Sequence, residues 1–563
     1  MLDSSLGVST QRLFLVFAIL FAPLAAADGF FDWVAGIGGV GVGGASAIAV
    51  DGGGRSYLSG VFTGTIDLDP GSGTAFVSTP GSAYYVVKLN SNGDYVWGFK
   101  LDATVHDMAL DAPGTLHIVG SFNGTQDFDP GGGTAELTAA GGEDAFVLKV
   151  SSAGAFDAVF ALSGTDDEVA RAIAVTDAGV MHVAGSFTGT TDFDPSGSTA
   201  ELTATGGEDL FVAKYTATET YTWATATDGG DLADTVLAGG IEIDSQDAVA
   251  IAGTFDGRID FDSGAGSLTI ANSTYPALDD EAFVAKYDSS GVIQWAHAMG
   301  GDASDAGFDV VIDAGDKVHV TGVFEGTADF DPSLSTEEET SAGLRDIFHA
   351  VLDTDGDYVW HVAIGGTGDD FAYSTVRDED GNLLTTGTFK ESVDFDPGAG
   401  STVLVASNAG SAIPYSDVFV WKLDSSGLFQ FAKGIGNQLG NSALRIGADA
   451  NGATFTYGYF QGTLDFDPGA GTSNLSVVSS FDSFLLKLDG GTGTIWVDFG
   501  YVGAESGTDS QPYNTVAEGL AAVPSNGTVR IKGNTGAKES SETMTINQSV
   551  TLRSDLGIIR IGI

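Results

Sequence analysis

The chain contains no cysteine, so neither disulfide staples nor thiolate chemistry enters its biology. Basic residues are scarce: 22 lysines and arginines stand against 76 aspartates and glutamates, for a net charge of −54. Such a surface repels nucleic acid and anionic lipid, which removes nucleic acid as an expected partner. It attracts cations or basic partners, and it keeps an exported protein soluble where salt screens self-repulsion. Long apolar runs are missing, with one exception. "LFLVFAILFAPLAAA", Leu13–Ala27, follows Arg12 and ends in small residues. It is short for a membrane span and reads as a secretion signal over residues 1–27, cleaved after Ala27, with an uncleaved anchor as the alternative. The mature chain is therefore expected to be secreted, periplasmic or at the cell surface, with no membrane span.

Glycine is abundant, 81 of 563 residues, roughly twice the usual share of about 7%. Without a collagen period, that means many tight turns. Hydrophobic residues at 43% are ample for a packed core and too many for a disordered chain.

The glycines fall in a repeat. The stretch "GSFNGTQDFDP" from Gly120 recurs with small changes from Gly60, Gly185, Gly253, Gly322, Gly387 and Gly458. Each copy carries an aspartate pair around an apolar residue: Asp67/Asp69, Asp127/Asp129, Asp192/Asp194, Asp260/Asp262, Asp329/Asp331, Asp394/Asp396 and Asp465/Asp467. The interval runs from 60 to 71 residues, so the copies form one architecture rather than separate domains. Upstream of each lies a hairpin pattern such as Ala109–Phe122, and downstream a second such as Ala282–Gly301. Short apolar-rich runs around Asp-x-x-Gly or Ser-Ser-Gly turns give about four antiparallel strands per unit. Four-stranded units repeated four to eight times build a β-propeller. Solenoid coils, the competing solution, are shorter, about 20 to 45 residues.

The expected fold is all-β: a seven-bladed β-propeller of four-stranded antiparallel blades over residues 28–503. A linker at 504–511 and a short β-rich segment at 512–563 follow. The last strand of most units carries a tryptophan (Trp97, Trp223, Trp295, Trp360, Trp496), with Phe431 and "FDAVFALSG" in the other two. A further such strand, "FFDWVAGIGG" with Trp33, stands alone after the signal. It is free to complete the last blade. Which end strand closes the ring, and which strand faces the channel, are both open at this point.

"FVAKYDSSGVIQWAHAMGG" and "KVHVTGVFEGTADFDP", with the copy number of seven, resemble the bacterial seven-bladed β-propeller repeat (SBBP-type) family over about Asp28 to Gly503. The resemblance implies an exported or surface-attached bacterial protein and brings no catalytic residue set. The C-terminal segment contains "PYNTVAEGLAAVPSNGTVRIKG" and "ETMTINQSVTLRSDLGIIRIGI". It is similar to the first coil of a pectin-lyase-like parallel β-helix, incomplete because one coil cannot bury its own face.

Three readings of the aspartate pairs compete. In the first, they accept hydrogen bonds from turn amides, with the apolar residue between them pointing inward. The repeated lysines Lys88, Lys149, Lys214, Lys286, Lys422 and Lys487, replaced by Val351 in one unit, then suggest a recurring ion pair with them. In the second, all fourteen aspartates are calcium candidates, since paired carboxylates suit a hard cation, although proline and glycine follow where further ligands are needed. In the third, they are acid and base for glycoside hydrolysis, which equal pairs spread around a ring disfavour. His117, His182 and His319 share one strand position and would form a metal site only if that strand faced the channel. No catalytic set and no cofactor beyond calcium is expected. The expected function is a non-catalytic binding or structural scaffold, not an enzyme. It is expected to act as a monomer that meets an extracellular protein or glycan. A secreted carbohydrate-active hydrolase or lyase is the alternative.

Overall fold

The computed structural model describes residues 31–40 and 43–489, apart from 206, 230–235, 263–265, 272–278, 334, 412–413, 470 and 479. Beyond these it describes 494–498, 514–516, 528–531, 539–540, 551–554 and 560–561. The signal at 1–27, the linker at 504–511 and most of the 512–563 segment lie outside the described residues.

The fold is all-β and repetitive. One unit shows the plan. Thr104–Leu110 pairs with Leu116–Phe122, which pairs with Asp144–Val150, which pairs with Phe156–Gly164, every step antiparallel. Turns such as Asp111–Thr115 and Ser151–Ala155 join the strands, each with a glycine at positive φ: Gly114 (φ 83) and Gly154 (φ 80). The aspartate motif is a small hairpin inserted between the second and third strands, where Thr125–Asp127 pairs with Glu136–Thr138.

Arrays of this plan recur along the chain. Their first strands are Gly43–Val50, Thr104–Leu110, Glu168–Val175, Val236–Ile243, Ala306–Ile312, Phe371–Arg377 and Ser442–Ala448. Each first strand lies against the next, and Ser442–Ala448 lies against Gly43–Val50. Apolar side chains fill the space between successive arrays. Phe122, Phe128 and Phe146 pack with Tyr57 and Phe99 of the preceding array. Phe455, Tyr457 and Leu485 of the last array pack with Leu58, Phe62 and Tyr85 of the first. Burying one such aromatic contributes about 1.5–3 kcal/mol.

The strand that begins the described chain, Phe31–Val40, pairs antiparallel with Asp482–Leu488 and is the fourth strand of the last array. It continues onto the first array, where Gly38, Gly39 and Val40 pair with Asp67, Ile66 and Thr65. The Trp33 indole donates to the Ser91 carbonyl at 3.2 Å, as Trp97 donates to Ser152 at 3.2 Å and Trp223 to Ser289 at 3.0 Å. Thr494–Val497, which contains Trp496, pairs instead in parallel with Thr528–Ile531, and that strand with Thr551–Ser554. Glu539–Ser540 and Arg560–Ile561 are parallel too.

Every first strand carries a β-bulge at one position, at Ser46, His106, Arg171, Gly239, Phe308, Tyr373 and Leu444. The residue before each bulge pairs with the glycine that opens the motif. A Cβ on Gly120 would stand 1.8 Å from the Thr104 carbonyl oxygen, and on Gly387 1.8 Å from that of Phe371. Only glycine fits opposite the bulge.

Candidate functional site

The aspartate turns are built alike. Asp127 Oδ1 accepts from the amides of Asp129 at 3.1 Å and Ala135 at 2.8 Å, and Asp129 Oδ1 accepts from Gly131 at 2.7 Å. The same first-aspartate pair of bonds recurs at Asp67, Asp192, Asp260, Asp329, Asp394 and Asp465. The second-aspartate bond recurs at Asp69, Asp194, Asp331, Asp396 and Asp467. Asp262 stands at the corresponding place in the Asp260 turn, where Ser267 Oγ also donates to Asp260 at 2.7 Å. The amides of Ala135 and Asp129 hold the Asp127 carboxyl below its ordinary value. Phe128 is 1% exposed and points into the core. Asp129 Oδ2 lies so close to Gly133 that a Cβ there would sit 2.1 Å away.

This geometry fits the turn-amide reading of the pairs. For calcium, which takes six to eight oxygen ligands, each turn offers two carboxylates. Among the described residues no group of three or more His, Asp or Glu side chains is placed to hold a metal.

The lysines do recur as ion-pair partners, but not with these aspartates. Lys286 pairs with Asp244 and Lys422 with Asp378, both at 2.8 Å. Lys149 pairs with Glu219 at 2.5 Å, and Lys214 with Asp247. The reason is register. The lysine lies near the end of the third strand, beside the turn joining the first two strands, while the motif hairpin projects from the opposite end. The histidines occupy the same end as the lysines. His117 faces Asp111 at 3.4 Å, His182 faces Asp247 at 3.6 Å and His319 faces Asp313 at 3.6 Å. Each is fully buried in its own array, 0–2% exposed. Burial holds His182 and His319 down at about 4. The second strand faces neighbouring sheets, so the three imidazoles do not meet and the conditional metal site falls away.

The first strands line a cavity of about 670 Å³. Three of the ten arginines in the sequence, Arg171, Arg377 and Arg445, border it, together with Asp107, Glu242 and Asp309. Asp107 accepts from Met108 N at 2.8 Å and, across to the next array, from Ile173 N at 2.9 Å. Asp309 does the same with Val310 N at 2.9 Å and Thr375 N at 2.8 Å. Burial raises Asp309 to about 6, against the opposing pull of the Thr375 amide and Arg445. Burial, and then the Asp309 charge, push Glu242 up to about 7. Arg171 reaches Ser186 at 3.2 Å and Glu208 at 3.3 Å, and Arg377 donates to the Ile312 carbonyl at 2.5 Å.

No motif in the sequence marks these cavity residues, because the repeated motif lies elsewhere. The bulge position, which Arg171 occupies, holds a different residue type in every array.

No family model matches the chain. An uncharacterized WD repeat-containing protein of Acanthamoeba polyphaga mimivirus is 24% identical over 208 residues, 33% of this chain and 15% of that protein. The match thus spans less than a sixth of that relative's length. Among solved structures, Sqt1 from Chaetomium thermophilum aligns with 82% of this chain and 99% of its own at 8% identity and a TM-score of 0.37. A protein of unknown function from Bacteroides caccae aligns with 45% of this chain and 81% of its own at 10% identity and a TM-score of 0.19. The chain is an all-β repeat protein with a WD repeat-containing protein among its relatives.

Proposed function

We propose that the chain is a seven-bladed β-propeller of the SBBP type, exported from a bacterium, that serves as a non-catalytic binding scaffold outside the cytoplasm. The first strands, each against the next and the last against the first, support a closed ring. The observation that carries the scaffold reading is the use made of the repeated carboxylates. Thirteen of the fourteen motif aspartates bind amides of their own turns, so the repeat's chemistry builds the frame. The partner is an extracellular protein or glycan met by a monomer. Expression in a bacterial host tests export: the mature protein should leave the cytoplasm and begin at Asp28. Chain retained in the cytoplasm with residues 1–27 intact sinks that part.

One observation favours the carbohydrate-active alternative. Burial and the Asp309 charge push the Glu242 carboxyl on the cavity wall up to about 7, the kind of tuning a general acid needs. A polysaccharide panel decides. Turnover that disappears in Glu242→Gln would replace the scaffold by an enzyme; no turnover by the wild-type chain leaves the scaffold standing.

A further inference from the structure

Two charged groups on the cavity wall, Arg445 and Glu242, stand outside the ion pairs of the described residues. The Arg445 guanidinium donates within the protein to the Leu444 carbonyl at 3.0 Å, on its own strand. The backbone of Ile243 lies beside the Glu242 carboxyl and pulls it down against the burial that raises it. Neither belongs to an ion pair among the described residues, and both are half-buried on the cavity wall. Of the aspartates on the same wall, both oxygens of Asp107 and of Asp309 accept backbone amides, Asp244 pairs with Lys286, and Asp177 is exposed to solvent.

The repeat makes this asymmetry meaningful. Glu242 and Arg445 lie on the first strands of different arrays, and the corresponding positions elsewhere are not copies of them. At the Glu242 position, two residues after its array's first post-bulge residue, the others carry Ala49, Ala109, Ala174, Val311, Val376 and Gly447. A frame needs no lone glutamate in a layer otherwise apolar, and burying one costs free energy unless something meets it. Phe308 and Tyr373, with ring centroids 5.7 Å apart, supply an apolar wall at the bulged end. A cavity of about 670 Å³ lies within the range that holds small ligands, about 300–1,000 Å³.

We propose that this cavity binds a small zwitterion, an amino acid or short peptide, with its carboxylate on Arg445 and its ammonium on Glu242. Charge-assisted bonds to both ends would satisfy the two groups that the frame does not. The inference goes beyond the scaffold reading, since it needs the cavity and not the export or the partner.

Calorimetric titration of the full chain tests it with L-leucine, glycyl-L-leucine, L-leucine methyl ester, N-acetyl-L-leucine and maltose. At least one of the two zwitterions should bind. The ester lacks the carboxylate and the N-acetyl compound lacks the ammonium, so each should bind about ten- to a hundredfold more weakly than leucine. Arg445→Met and Glu242→Gln should each weaken the zwitterion by a similar factor with the melting temperature little changed. No binding by either zwitterion, equal binding by ester and acid, or binding by maltose alone overturns the proposal. If a variant does not fold, the ligand series on the wild-type chain still decides. Export failing while leucine binds would remove the scaffold reading and leave this one intact.

Discussion

Lys487, on the third strand of the last array, makes a 3.0 Å ion pair with Asp32, on the strand that begins the described chain. The lysine is 1% exposed and the aspartate 7%. The pair joins residues 455 positions apart in sequence and fixes the strand that bridges the last array to the first.

Breaking that pair from one side should be costly. A single Asp32→Asn or Lys487→Met replacement leaves its partner buried without its counter-charge, which typically costs about 3–5 kcal/mol. Replacing both, Asp32→Asn with Lys487→Met, should cost less than the sum of the single changes. Urea unfolding of the three variants measures the coupling. Additive losses would mean that the contact does not hold the closing strand.

Gly120→Ala places a methyl carbon 1.8 Å from a backbone oxygen, so the bulge on Thr104–Leu110 must shift. Overpacking of this kind costs about 1–3 kcal/mol, occasionally more. Gly132→Ala, in the same unit, has nothing within 4 Å of the new methyl and should be close to neutral. Thermal melts of the two variants compare them directly. Equal melting temperatures would show that the motif glycine is not there to clear the bulge.

Asp127→Ala removes the acceptor of two amides and should lower the melting temperature. Asp127→Asn keeps an oxygen at the same place and should recover most of that. Both results should be the same with calcium and with chelator. A calcium site would behave differently: chelator would lower the wild-type melting temperature, and Asn would lose the calcium response as fully as Ala.

The strand plan and the inward phenylalanines are legible in the sequence because they repeat. Period-two alternation and turn glycines recur in every unit, and Phe128 lies between two aspartates that must face the other way. The glycine that opens the motif is visible there but unexplained, since its cause is a carbonyl on another strand. Sequence alone assigns the lysines the wrong partner, because distance along the chain does not say at which end of a strand a side chain stands. Glu242 and Arg445 escape for the opposite reason. Each occurs once, so no repeat marks it, and only the closure of the first strands onto one another brings them to one cavity.

Stability should rise as the solution turns from alkaline to mildly acidic, and below that two sets of groups oppose one another. Burial raises Glu168, Asp305 and Asp370 to about 7, and Asp209 and Asp346 to about 6. A raised carboxyl binds its proton more tightly in the folded chain, so its contribution is complete below the unfolded value and is lost as pH rises through the folded one. Histidines work in reverse. Burial lowers His106, His182 and His319 from 6.5 to about 4, and His349 well below its ordinary value. The unfolded chain takes up those protons first, so their contribution is lost as pH falls below about 6.5. The melting temperature should therefore rise as pH drops from about 8 toward 6.5, and change less steeply below that, where the histidine losses offset the carboxyl gains. Glu168→Gln separates the limbs. Its amide oxygen can accept from Gly164 N and its NH2 can donate to the Thr191 hydroxyl, where the carboxylate now accepts from both. That variant should gain relative to wild type on the alkaline side and match it near pH 5. A gain of equal size at both pH values would mean that the Glu168 charge is not what titrates.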